Sequence, residues 1–276
     1  EIKSINLDEI KESFGFLYMG HWLQGDLGQD RKNTGMLIKV FLETFKNKGK
    51  QPALILKTSM ATSSIMDKEE ILRRIDIIRK TVKGKLPNIY LVHGNLSDTE
   101  VNELYNHSKV KAMVNLTKGE GFGRPLLEFS LTKKPIITTG WSGHTDFLNP
   151  EFSILLPGKL EPLHDSAVQA NVLLKESQWF TVDYPAAGNA LVDVFNNYKK
   201  WNEKANRQAY HSRTNFSFEK MTELIGEYIK SFESSIPKAV ELQLPKLQLP
   251  KLKKVGENNT PELPKLKLPK LKKIEA

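Results

Sequence analysis

The stretch "KAMVNLTKGEGFGRPLLEFS", residues 111–130, changes character twice. An apolar run of strand length (111–117) gives way to Gly119, Gly121 and Gly123 around one aromatic residue, and Pro125 then opens a helical pattern. Glycine lets backbone approach a ligand closely, and proline suits the first helical turn, where its missing N–H would have had no partner. The stretch therefore reads as a buried strand, a tight loop and a helix, the repeating half of a βαβ unit.

The same alternation runs outward in both directions. Strand candidates are "FGFLYMG" (14–20), "PALILKT" (52–58), "NIYLVHG" (88–94), 111–117, "PIITTG" (135–140) and "SILLPG" (153–158). Between most of them lie helical stretches: Leu37, Val40, Phe41, Thr44 and Phe45 form one stripe, Ile71, Ile75, Ile78 and Val82 another, and "SDTEVNELYNHS" begins on a Ser/Asp cap. Buried strands separated by helices predict an α/β fold with a doubly wound parallel sheet, Rossmann-like, closed by helices after residue 184.

With 276 residues, 39% hydrophobic and 26% charged, the chain can bury a sizeable core. No run approaches the roughly eighteen apolar residues of a membrane span, and the opening "EIKSINLDEIKESF" lacks the basic-then-apolar pattern of a signal peptide. The absence of cysteine excludes disulfides and thiolate metal sites. The net charge of +9 is concentrated: residues 238–276 carry +6, leaving +3 for the rest. There "LPKLQLPKLKK" (244–254) returns as "LPKLKLPKLKK" (263–273), with proline too frequent for a helix. The expected organisation is a domain over 1–235 and a disordered, low-complexity Pro/Lys tail over 236–276. The tail reads either as a solvated appendage or as a docking strip for an acidic surface; without arginine or aromatic residues it gives no strong case for nucleic acid.

In an open parallel sheet, ligands bind beyond the carboxyl ends of the strands. Four loops there carry candidate groups. In 20–35, Arg31 and Lys32 precede a helix and suit an anion, though they equally suit a solvated basic loop. In 93–100, Ser97 or Asp98 caps a helix, while the backbone of His93 and Gly94 can receive a flat base. In 118–130, Glu120 lies in the loop and Glu128 about one turn into the helix; carboxylates suit sugar hydroxyls, and Arg124 with the amides of Leu126 and Leu127 points to a phosphate. In 139–148, His144 and Asp146 join two glycines. The Glu120/Glu128 spacing alone carries nothing, since Glu1/Glu9, Glu219/Glu227 and Glu233/Glu241 repeat it. Together the loops favour a diphosphate-plus-sugar ligand. A Walker sequence, a dinucleotide fingerprint and a metal-ligand cluster are all missing from the sequence.

"RKN" before a helix, "LVHGNLSDTEVNELYNHSKV", "KGEGFGRPLLEFSLTKKPIITT" and "GWSGHTDFL" together resemble the donor-binding half of GT-B glycosyltransferases, in particular the retaining, nucleotide-sugar-dependent group with the E-x7-E motif. The resemblance covers roughly residues 14–230. It implies one half of a GT-B fold, a UDP- or GDP-sugar as donor and a hexosyl or other glycosyl group transferred with retention, without an obligatory metal or other cofactor. Residue by residue, Arg31 and Lys32 would hold the diphosphate and Glu128 the ribose. Glu120 would be the catalytic glutamate at the transferred sugar, with Gly121, Phe122 and Gly123 lining the sugar and phosphate path.

Two departures stand out. His21 occupies a position where many relatives have arginine, and "WSGHTD" replaces the usual Gly-Gly loop, so His21, His144 and Asp146 are additional candidates. The acceptor, whether glycan, lipid or protein, implies a missing N-terminal GT-B domain in cis or in trans, and the non-Met start favours a truncated chain. The expected location is the cytoplasm, including a host cytoplasm, since the variant motifs and Lys/Pro repeats look like those of phage or environmental microbial enzymes. Against the transferase stand a non-catalytic nucleotide-sugar-binding or structural protein docked through its basic tail, and a phosphorylase-like or epimerase-like enzyme of the same fold.

Overall fold

The structure, a computed structural model, describes residues 5–23, 25–168 and 171–235. Chain contacts divide it into Glu1–Ser231 and Phe232–Ala276; the expected tail, 236–276, lies outside the described residues. Six strands, β1 (Gly15–His21), β2 (Ala53–Ser59), β3 (Ile89–Val92), β4 (Val110–Asn115), β5 (Ile136–Thr139) and β6 (Ile154–Leu156), form one sheet in the order β3-β2-β1-β4-β5-β6. Every neighbouring pair is parallel. The chain builds outward from β1 to β3, then returns past β1 to lay down β4, which puts the topological switch point between β1 and β4.

Strand alternation explains why both faces are apolar. Phe16, Tyr18, Leu54 and Leu56 point into a core shared with α1 (Thr34–Phe45), α2 (Ile65–Thr81) and α5 (Tyr184–Asn196). Leu17, Ala53, Ile55 and Met113 point into the opposite core, with Leu104 and Tyr105 of α3 (Asp98–Asn106) and Leu126 and Phe129 of α4 (Arg124–Ser130). A sheet covered on both faces needs near-continuous apolar strands, which is how these segments read. Two further helices, α6 (Tyr198–Asn215), which packs on α4, and α7 (Phe218–Phe232), follow.

The structure adds an element that the apolar runs did not suggest. β7 (Gly158–Pro162) pairs antiparallel with β8 (Gln178–Val182) in a separate two-stranded ribbon. Its first strand is mostly exposed, so it lacks the apolar signature of the sheet strands; Trp179, Phe180 and Val182 of the second supply the burial.

A buried polar contact ties the middle of β1 to the start of α1: the Tyr18 hydroxyl lies 2.7 Å from Thr34 Oγ1. Burial pushes the Tyr18 pKa well up, so the phenol stays protonated. Tyr18→Phe leaves the Thr34 hydroxyl unpaired and should cost about 1–2 kcal/mol, seen as a lower urea midpoint with an unchanged slope.

Candidate functional site

The β1–α1 loop is fixed from inside. Asp30, buried, accepts from the Thr34 amide at 3.0 Å, and Asn33 takes a left-handed conformation with φ 55°. Burial raises the Asp30 pKa, and the hydrogen bond from Thr34 opposes the rise. Arg31 and Lys32 are thus held between two anchored residues. Across the switch point the loop is joined to the glycine-rich segment: the Arg31 carbonyl accepts from the Lys118 amide at 2.8 Å, and Arg31 Nη1 donates to the Gly119 carbonyl at 2.9 Å.

Glu120 completes this junction. One carboxylate oxygen is in a hydrogen-bonded ion pair with Lys32 Nζ; the other is 3.6 Å from Arg31 Nη1. The Glu120 and Lys32 side chains are only 9% and 11% exposed, so the pair is shielded from water. Burial lowers the Lys32 pKa, and the adjacent carboxylate counters it. The sequence assigned the two cations and this glutamate to different parts of a ligand; the structure brings them into one cluster.

The backbone of Glu120 is clamped by the loop after β5. Ser142 Oγ accepts from the Glu120 amide at 3.0 Å and donates to the Glu120 carbonyl at 2.6 Å, while the Gly143 amide donates to the same carbonyl at 3.0 Å. Ser142 itself has φ 82°. A Cβ on Gly143 would lie 2.1 Å from the Gly121 carbonyl oxygen, so only glycine fits there. Within the candidate segment 139–148, Ser142 and Gly143 make this clamp. His144 is fully buried, with Nε2 2.6 Å from the Thr139 carbonyl, and packs beneath Gly123; Asp146 is exposed in the 3-10 helix Gly143–Asp146. Burial lowers the His144 pKa.

Glu128 lies one turn into α4, where its carboxylate is 3.3 Å from Arg124 Nε and accepts from the Tyr105 hydroxyl at 3.4 Å. It lines a cavity of about 340 Å³ with Asp98, Tyr105 and Arg124. A neighbouring cavity of about 450 Å³ is lined by His21, Arg31, Lys32, Lys57, Asn95 and Arg124, and the two share Asp98, Val101 and Arg124. Phe122 is exposed, packed on Phe147, and Gly121 opens to free space. His21 Nδ1 lies 3.0 Å from Ser59 Oγ.

One detail corrects the sequence reading. The amides of Leu126 and Leu127 are not free for a phosphate: both donate to the Gly123 carbonyl, at 2.9 and 3.2 Å. The helix starts at Arg124 with Gly123 as its cap, so these amides already close its first turn. The Gly94 carbonyl accepts from Lys57 Nζ at 2.5 Å. Lys57 went unremarked in the sequence, where its signal was a lone cation ending the apolar run of β2. Among the described residues, no group of three or more His, Cys, Asp or Glu side chains is placed to hold a metal.

No protein-family model matches the sequence, and no curated protein matches it. Solved structures do. The C-terminal domain of a glycosyl transferase group 1 family protein (LpcC) from Francisella tularensis matches with a TM-score of 0.52 at 15% identity, over 76% of this chain and 90% of that one. A glycosyltransferase from Rickettsia africae matches with a TM-score of 0.57 at 14% identity, over 83% of this chain. Anabaena Alr3699/HepE, solved with UDP and glucose, matches with a TM-score of 0.55 at 12% identity, over 80% of this chain. This chain spans 50% and 49% of the lengths of the last two. The shared feature is the Rossmann-like fold, which in the Francisella and Rickettsia neighbours belongs to glycosyltransferases.

Lys118, at the head of the glycine-rich loop, also bonds the ribbon: Nζ donates to Thr181 Oγ1 at 2.9 Å and lies 4.8 Å from the centre of the Trp179 ring. Burial pushes its pKa down to about 8, against the pull of Glu161 and Asp30. Between pH 8 and the ordinary lysine value of 10.5 the unfolded chain holds more protons than the folded one, so stability rises with pH across that window. Lys134, lowered to about 8 in the same way, acts with the same sign. Lys118→Met should remove the Lys118 share of this slope, measured by urea unfolding at pH 7, 8.5 and 10.

Proposed function

We propose that this chain is the donor-binding domain of a GT-B glycosyltransferase of the E-x7-E type, transferring a glycosyl group from a UDP- or GDP-sugar with retention. The observation that carries the reading is the Arg31–Lys32–Glu120 cluster at the switch point, one cavity away from Glu128. The fold likeness to a protein solved with UDP and glucose supports a nucleotide-sugar ligand.

In this reading Arg31 and Lys32 bind the diphosphate and, as the glycosidic bond breaks, stabilise the charge developing on the leaving nucleoside diphosphate. They need little reorganisation, because the buried Asp30 and the Arg31–Lys118 backbone bond hold them in place. Arg124 adds a further cation beside the same cavity. Glu128 accepts from the ribose hydroxyls. Glu120, which pairs with these cations, turns its carboxylate to hydroxyls of the transferred sugar once phosphate oxygens occupy the cations. Gly121, Phe122 and Gly123 flank that path, and a second domain supplies the glycan, lipid or protein acceptor. A non-catalytic nucleotide-sugar-binding protein is the second reading, favoured by the same neutralised Glu120; transfer by a chain that also carries the acceptor half separates the two.

Calorimetric titration with UDP- and GDP-sugars tests the site. Lys32→Ala and Glu128→Ala should each weaken binding by about tenfold or more, the scale of a lost charge-assisted hydrogen bond; wild-type affinity in both would overturn the assignment. Glu120→Gln removes the anion that the diphosphate must displace, so it should bind the bare nucleoside diphosphate severalfold more tightly while losing preference for the sugar-bearing form. Equal or weaker binding of the bare nucleotide would show that Glu120 does not compete for the cations.

A further inference from the structure

On the α3/α4 side of the sheet, β2 contributes Ala53 and Ile55 to an apolar column, and alternation puts residue 57 next in that column. Its register partners, Met19 on β1 and Val92 on β3, both pack against this apolar core. Yet residue 57 is lysine. Half-buried at the carboxyl end of β2, it forms no ion pair among the described residues, and burial alone lowers its pKa. A cation held there without a carboxylate is costly for folding and so points to a ligand.

What the ammonium touches narrows the choice. It donates to the Gly94 carbonyl at 2.5 Å, fixing the peptide at the turn after β3, where Gly94 has φ 107°. A Cβ on Gly94 would meet nothing within 4 Å, so space lies open beside this turn. Lys57 also lines the cavity that contains Arg31 and Lys32, and because β2 lies between β1 and β3, it stands between the phosphate cations and the His93–Gly94 end of β3.

From this geometry we infer that Lys57 selects the base: it accepts a nucleotide whose base presents a keto oxygen, uracil or guanine, and disfavours one that presents an amino group at the same position, cytosine or adenine. An ammonium has three donors and no acceptor. One hydrogen goes to Gly94, and those left in the cavity match a carbonyl oxygen but oppose the hydrogens of an exocyclic amine. The inference rests on the nucleotide-sugar reading and adds to it which bases the site admits.

Titration with UDP against CDP, and GDP against ADP, using the full chain, tests it. Wild type should favour the keto member of at least one pair by about tenfold or more. Lys57→Met, which fits the apolar column, should bring that ratio to within about twofold, chiefly by weakening the keto ligand, and Lys57→Arg should retain the preference. Thermal unfolding confirms that each variant is folded; if Lys57→Met is not, Lys57→Gln takes its place. An unchanged ratio in the Met or Gln variant, or no preference in wild type, overturns the role of Lys57 and leaves the donor site standing. If wild type binds none of the four nucleotides, the donor reading falls, and this inference with it.

Discussion

The ion pair between Lys32 and Glu120 joins two loops that are 88 positions apart in sequence and face each other across the switch point. Its partners are mostly buried, so much of their mutual attraction offsets lost hydration, and a pair of this kind is a weak source of stability. What it does supply is placement. With the Arg31–Lys118 and Arg31–Gly119 bonds it registers the β1–α1 loop against the glycine-rich loop, and the strand order that brings β1 beside β4 makes that meeting possible. The carboxyl edge of the sheet is thereby a single surface instead of a row of separate loops.

The small ribbon extends the same connection. Phe180 donates its amide to the Lys118 carbonyl at 3.0 Å and stacks on Trp141, with ring centres 6.0 Å apart. Lys118 therefore meets β1–α1 through its backbone amide and β8 through its carbonyl and ammonium. One buried residue relates three chain segments, so the glycine loop has little freedom at its first residue despite its composition.

Much of the fold was legible in the sequence, because each of the six sheet strands is an apolar run bounded by glycine, proline or polar residues, and local patterning alone locates such runs. The ribbon was not, since β7 is charged and exposed and its pairing with β8 depends on a partner sixteen or more residues away. At the site, the sequence picked out residue types suited to a diphosphate and sugar, and the structure brings Arg31, Lys32 and Glu120 together. It could not show that Glu120 contacts those cations, that Ser142 holds the Glu120 backbone from a left-handed conformation, or that Lys57 faces Gly94. These are contacts between separate loops, invisible to periodicity. The Leu126 and Leu127 amides were misjudged for a narrower reason: one residue's shift in the helix start, from Pro125 to Arg124, decides whether an amide is free or already bonded.

Two glycines that touch each other differ sharply in what they tolerate. A Cβ at Gly121 would project into open space, whereas one at Gly143 would run into the Gly121 carbonyl. Every codon change that replaces glycine adds a Cβ, so position 143 is closed to protein-level variation unless the loop carrying Glu120 moves with it. Position 121 meets no such bar within the fold, so what limits it is the sugar and phosphate path it flanks. In a directed-evolution library of this domain, a change at 121 would therefore report on what that path admits, and a change at 143 would announce a rebuilt loop.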